Sequence, residues 1–284
     1  MDSIFFSSFF FFLTFSLRTD PFLQVRIMLA VTEKGDANKL AERACQDPEF
    51  NLNEIDEFGF TLMHYACESD STSAVIPLLL AHPDIDVNVK SAYGSTSCCL
   101  ACANGCTSCV RELLKDSRVN VNEPANDGWT PLWSAARYGH LDAIRWWIAS
   151  GREMDMGEPG DLNTDAVWGA KMGVNPEVAT LLERSKSEAT QTRHTVRLEI
   201  GWYNETAAEV FALVVFVSDG LLQIKDTTPS SAARFIGIAK RLPLELQMVL
   251  CFRQVGSDKE IIPGKDSEAA FKSLAKSLHQ LAPR

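Results

Sequence analysis

Five cysteines fall within one short stretch, Cys98-Cys99-x-x-Cys102-x-x-x-Cys106-x-x-Cys109. It contains two C-x-x-C units three residues apart, a spacing that can wrap zinc or an iron–sulfur cluster because each unit can turn two thiolates toward one ion. Other candidates are weaker. Gly264-Lys265-Asp266 has the Gly-Lys step of a phosphate-cradling loop, without the earlier Gly or the hydroxyl residue that such a loop needs after the Lys. His64, His82, His140, His194 and His279 are scattered. No Ser, His and carboxylate set stands out as a nucleophile with its base.

The elements that must position these residues recur along the chain. Four threonines, Thr61, Thr96, Thr130 and Thr164, are 35, 34 and 34 residues apart. Two residues before the first three stand Gly59, Gly94 and Gly128. Five residues after each threonine come Ala66, Ala101, Ala135 and Gly169. Nine after come Asp70, Gly105, Gly139 and Gly173. Fourteen after come Val75, Val110, Ile144 and Val178, and then Leu78, Leu113, Trp147 and Leu181, each followed by Leu79, Leu114, Ile148 or Leu182.

Each column has a physical reason. The Gly before the threonine permits a tight turn. The threonine caps a first helix, and the small residue lets helices approach closely. The breaker at plus nine ends that helix in a left-handed turn. The Val-x-x-Leu-Leu stripe is the apolar face of a second helix. One such hairpin cannot bury both faces, so stability must come from stacking.

The third copy, Asp127-Gly128-Trp129-Thr130-Pro131-Leu132-Trp133-Ser134-Ala135-Ala136 with Gly139-His140, resembles the ankyrin repeat. The first, Gly59-Phe60-Thr61-Leu62-Met63-His64-Tyr65-Ala66, keeps the His and replaces the Pro. The second and fourth are more degenerate. Residues 28–53 fit the repeat through Gly35, Leu40 and Asn53 and read as an N-terminal cap. The resemblance implies an all-α ankyrin-repeat solenoid over residues 28–184, a cap and four repeats, with short β-turn connections. It also implies a non-enzymatic scaffold that binds another protein through its turn tips and concave helix face.

Carried onto this sequence, the tip positions include Phe58, Phe60, Tyr93, Asp127, Trp129, Arg137 and Tyr138. Five of the 15 tip and helix-end positions in the first three repeats are aromatic, Phe58, Phe60, Tyr93, Trp129 and Tyr138, against 9% of the whole chain, and exposed aromatics are the residues that interfaces use as anchors. The repeat also reinterprets the cysteines. Cys98 takes the column of Leu132, Cys102 that of Ala136, Cys106 that of His140 and Cys109 that of Ala143. Small buried hydrophobes suffice there. No metal, cofactor or catalytic residue is therefore expected.

Charge bears on the partner. Residues 28–184 hold 12 Lys and Arg against 24 Asp and Glu, net −12, whereas residues 185–284 hold 13 against 11, net +2. An acidic array repels phosphate backbones, so nucleic acid is a poor partner and a basic or neutral protein surface fits better.

The two ends leave the repeat. Ile4 to Leu17 is rich in Phe, Ser, Leu and Ile, too short for a membrane span and without a basic leading end. Residues 1–27 read as a misannotated leader before a true start at Met28, or alternatively as a signal peptide. Unpaired cysteines favour a reducing compartment, cytoplasm or nucleus, over secretion. Asn204-Glu205-Thr206 is a glycosylation sequon that matters only in the secreted case.

Residues 185–284 form a helical C-terminal region that resembles the tails of fungal ankyrin-repeat proteins. An apolar run within 205–224 marks a buried helix. Phe271, Leu274, Leu278 and Leu281 share one face of another. Residues 242–250, Leu242-Pro243-Leu244-Glu245-Leu246-Gln247-Met248-Val249-Leu250, resemble the opening of an F-box, which would make the chain a substrate adaptor of a ubiquitin ligase.

Overall fold

The computed structural model describes residues 51–82, 84–157, 164–222 and 231–281, and it divides into two compact units, one ending at Arg193 and one from His194. The expected leader and most of the expected N-terminal cap lie outside the described residues. All thirteen α-helices described here belong to an all-α chain, as expected.

The first unit is a run of helix pairs. The first repeat has α1 (Leu62–Ala66), a 3-10 turn (Asp70–Val75) and α2 (Ile76–Ala81). The second has α3 (Ser97–Asn104) and α4 (Thr107–Lys115), and the third α5 (Pro131–Tyr138) and α6 (Leu141–Ser150). The fourth has α7 (Ala166–Met172) and α8 (Pro176–Ser187). First helices stack on first helices, α1 on α3, α3 on α5 and α5 on α7; second helices do the same from α2 to α8. Thr96 and Thr130 cap as the spacing predicts, each side chain accepting the amide three residues on. Gly105 and Gly139 end their helices at φ 69° and 79°, the left-handed region that a side chain would strain.

Two corrections apply to the repeat columns. In the fourth repeat the cap is Asp165, not Thr164: its carboxylate accepts the Val167 amide at 3.1 Å. The left-handed residue slips by the same single position, to Val174 at φ 58°, while Gly173 stays right-handed. In the first repeat Leu78 is only half-buried, because the 3-10 turn rotates the stripe onto Val75, Ile76 and Leu79, which are fully buried.

An asparagine ladder ties the repeats together. Asn53 donates to the Asp84 carbonyl at 2.7 Å and accepts the Asp86 amide at 2.8 Å. Asn88 repeats the pattern on Arg118 and Asn120 at 2.8 and 2.7 Å, and Asn122 on Glu153 and Asp155 at 3.2 and 3.0 Å. Each side chain satisfies one donor and one acceptor of the next loop, which would otherwise face water.

After α9 (Ala189–Glu199), within which the division between units falls, the second unit is built around α10 (Trp202–Ser218). α11 (Ser231–Ala239), α12 (Leu244–Gln254) and α13 (Gly264–Leu281) pack on it. Its core joins Ala207, Ala208, Phe211 and Val214 to Cys251, Phe252 and Ile262. The apolar run thus forms a core helix, as its sequence predicts. Phe271 and Leu274 lie against this core; the side chains of Leu278 and Leu281 lie outside the described residues. No single described helix is long and apolar enough to cross a membrane.

Candidate partner-binding site

The turn tips precede each first helix, and their backbone is held from both sides. Asp56 accepts the amides of Phe58 and Phe60 at 2.9 and 2.8 Å and also the Tyr65 hydroxyl. Asp127 accepts the Trp129 amide at 3.1 Å. Successive tips then bond to one another: the Ala92 amide donates to the Phe58 carbonyl at 2.9 Å, and the Asn126 amide to the Tyr93 carbonyl at 3.1 Å. Gly59 and Gly94, at φ 75°, leave room for this approach; a Cβ on Gly59 would meet the Ala92 nitrogen at 2.7 Å.

The side chains on this fixed backbone face outward. Phe58, Tyr93, Trp129 and Tyr138 are 43%, 62%, 38% and 60% exposed. Trp129 is shared between solvent and scaffold, its indole stacked on that of buried Trp133 at 4.1 Å and 13°. Phe60 is half-buried, stacked on His64 and edge-on to Tyr65, so it belongs as much to the repeat as to its surface. Asp127 is exposed and shapes the turn, and Arg137 is half-buried at the end of its helix.

His64 and His140 serve the scaffold. His64 Nδ1 accepts the Thr61 amide at 3.0 Å, and Nε2 lies 3.1 Å from the Ser95 carbonyl oxygen of the next repeat. Burial lowers its pKa below the ordinary imidazole value. His140 Nε2 lies 3.0 Å from the Ala103 carbonyl oxygen of the preceding repeat. Asn175 does the same work one repeat later, donating to the Ala136 and Arg137 carbonyls at 3.1 and 3.0 Å.

The cysteine run splits in two. Cys98, Cys99 and Cys102 lie on α3 and are buried between repeats, as their columns predict. Burial pushes the Cys99 thiol up to about 11, far from a reactive thiolate. Cys106 and Cys109 are buried too, but they face a partner that spacing could not reveal: one ligand atom each from Asp70, Cys106 and Cys109 lies within 4.8 Å of the others. Asp70 is 36 residues before Cys106, and only the stacking of repeats brings them together.

A family model for ankyrin repeats, in three copies, matches residues 27–123 and 75–157. Human SMC5-SMC6 complex localization factor protein 1 is 36% identical over 94 residues, 33% of this chain and 9% of that protein. The ankyrin repeat protein YahD of Escherichia coli is 31% identical over 93 residues, 33% of this chain and 45% of that one. An ankyrin repeat protein of Rickettsia bellii is 26% identical over 127 residues, 45% of this chain and 68% of that one. The chain thus spans about a tenth of the length of the human relative and under half of YahD. The family match ends at residue 157, before the F-box-like segment and the tail. Stacked helix pairs, capping threonines, left-handed glycines and the family match over residues 27–157 agree, and this chain carries ankyrin repeats.

Proposed function

We propose that this chain is a non-enzymatic scaffold that holds another protein against its turn tips and the adjoining ends of its first helices. The observation that carries this reading is the set of exposed aromatic side chains, Phe58, Tyr93, Trp129 and Tyr138, on or beside backbone already fixed by hydrogen bonds between repeats. A site whose backbone is ordered in advance loses little entropy on binding, and aromatic anchors supply most of an interface's energy. The net charge of −12 over residues 28–184 selects a basic or neutral protein surface and disfavours nucleic acid. Seven free, buried cysteines among the described residues suit a reducing compartment, the cytoplasm or nucleus.

The test is affinity capture from cells with the full chain and with a Tyr93→Ala, Trp129→Ala, Tyr138→Ala triple variant. The expected result is a set of proteins retained by the native chain and lost by the variant at unchanged helicity. Equal capture by both overturns this placement of the site. One observation favours a second reading, the ubiquitin-ligase adaptor: Leu244 and Leu246 of the F-box-like segment are 53% and 51% exposed. Recovery of ligase core subunits with the native chain, and their loss with a Leu244→Ala, Leu246→Ala variant, would select it.

A further inference from the structure

At the joints between later repeats, a side chain opening the second helix reaches back to the preceding turn. His140 and Asn175 do so with hydrogen bonds to carbonyl oxygens. At the joint between the first two repeats the equivalent column holds Cys106, and the groups around it are different in kind. Cys109 follows one turn on. The turn they face supplies Asp70. The ligand atoms of Asp70, Cys106 and Cys109 all lie within 4.8 Å of one another. The Cys109 thiol donates to the Ala66 and Ser69 carbonyl oxygens of that turn at 3.6 and 3.4 Å, which fixes it against the first repeat.

We propose that Asp70, Cys106 and Cys109 supply three ligands of a tetrahedral zinc site, its fourth position open to water on the exposed Asp70 side, that staples the turn of the first repeat to the second helix of the second. Zinc fits on three grounds. Zn–S bonds of about 2.3 Å and Zn–O bonds of about 2.0 Å set tetrahedral ligands roughly 3.5–3.8 Å apart, which small side-chain rotations reach from the observed spacing. Two sulfurs and one carboxylate select a borderline-soft cation of tetrahedral habit over calcium or magnesium. The anionic ligand set also has donors around it. The Ser108 amide donates to the Asp70 carboxylate at 2.8 Å, and the amino end of α4 opens at Thr107. Cys106 and Cys109 are buried while Asp70 is exposed, so the ion has an entry side. Binding releases the thiol protons to solvent and makes the affinity rise with pH. This departs from the expectation that the whole cysteine run is packing: that reading holds for Cys98, Cys99 and Cys102.

The test is a Co2+ titration of the reduced, chelator-stripped full chain. One equivalent is expected to give thiolate-to-cobalt charge-transfer absorption and the intense visible bands of a tetrahedral ion, both bleached by one equivalent of Zn2+. A Cys106→Ser, Cys109→Ser variant is expected to lose these bands, and Cys98→Ala to keep them. Asp70→Asn, at an exposed position that leaves the fold intact, is expected to weaken Co2+ at least about tenfold. A folded native chain without charge-transfer absorption overturns the proposal. So do bands that survive the double cysteine variant, or an unchanged affinity in Asp70→Asn.

Discussion

His64 sits fully buried between two repeats with both ring nitrogens committed, Nδ1 to the Thr61 amide and Nε2 to the Ser95 carbonyl. That arrangement needs a neutral ring with its proton on Nε2. A proton on Nδ1 would point at the Thr61 N–H. Because burial lowers its pKa in the folded state, the unfolded chain binds the extra proton first, near pH 6.5. Its contribution is therefore complete above about pH 6.5 and is lost as pH falls toward the folded value. Thermal unfolding from pH 8 to 5 should show this loss, and His64→Asn should flatten it. Leu113 and Trp129 mark the two extremes of the array. Leu113 is fully buried, so Leu113→Ala should cost about 2–5 kcal/mol of stability. Trp129→Ala forfeits one indole stack, roughly 0.5–1.5 kcal/mol. It should weaken partner binding by about 2 kcal/mol or more if it is an anchor. Denaturant unfolding and binding of both variants check the contrast.

At the scale of elements, the fourth repeat departs most from its sequence columns. Gly169 stands where earlier repeats have Ala because the Trp133 indole of the third repeat fills the space: a Cβ there would lie 2.9 Å from Nε1 and 3.1 Å from Cδ1. Gly in a helix interior costs about 1 kcal/mol relative to Ala, so an open site would gain from Gly169→Ala. Here the substitution should destabilise, since a ring stacked on Trp129 cannot move away cheaply. Gly169→Ala in a Trp133→Leu background should recover stability, and thermal melts of the three proteins test the pairing. The asparagine ladder was legible only in part. Asn53 fits the repeat, yet Asn88 and Asn122 sit at the same offset, eight residues before Thr96 and Thr130. Their column could have been read as a structural one. Asn122→Ala removes bonds to Glu153 and Asp155 and should cost about 1–2 kcal/mol, discounted for exposure.

Across the whole molecule, each repeat in the first unit packs mainly on its sequence neighbours, first helix on first and second on second. Stability in such a stack is close to a sum of repeats and joints. Leu113→Ala should consequently lower hydrogen-exchange protection in α1 and α5 as well as in α3 and α4. The core of the second unit, around Phe211 and Phe252, is built from its own helices. Amides of α10 and α12 should keep native protection in the same variant, and a uniform loss along the chain would show that the two units unfold as one.

The sequence alone determined what depends on local spacing. The threonine interval, the turn glycines and the Val-x-x-Leu-Leu stripe define helix pairs in three of the four repeats, because caps, left-handed turns and apolar stripes act within one hairpin. It also placed the exposed aromatics, since a tip residue projects outward wherever the turn recurs. Tertiary structure decided what depends on the neighbouring repeat. The one-residue slip to Asp165, the filling of the Gly169 space by Trp133 and the split of the cysteine run were all hidden from spacing. The last two depend on side chains more than 30 residues apart meeting across a joint. Stacking brings columns of successive repeats into register, so a residue's surroundings are set as much by the next repeat as by its own.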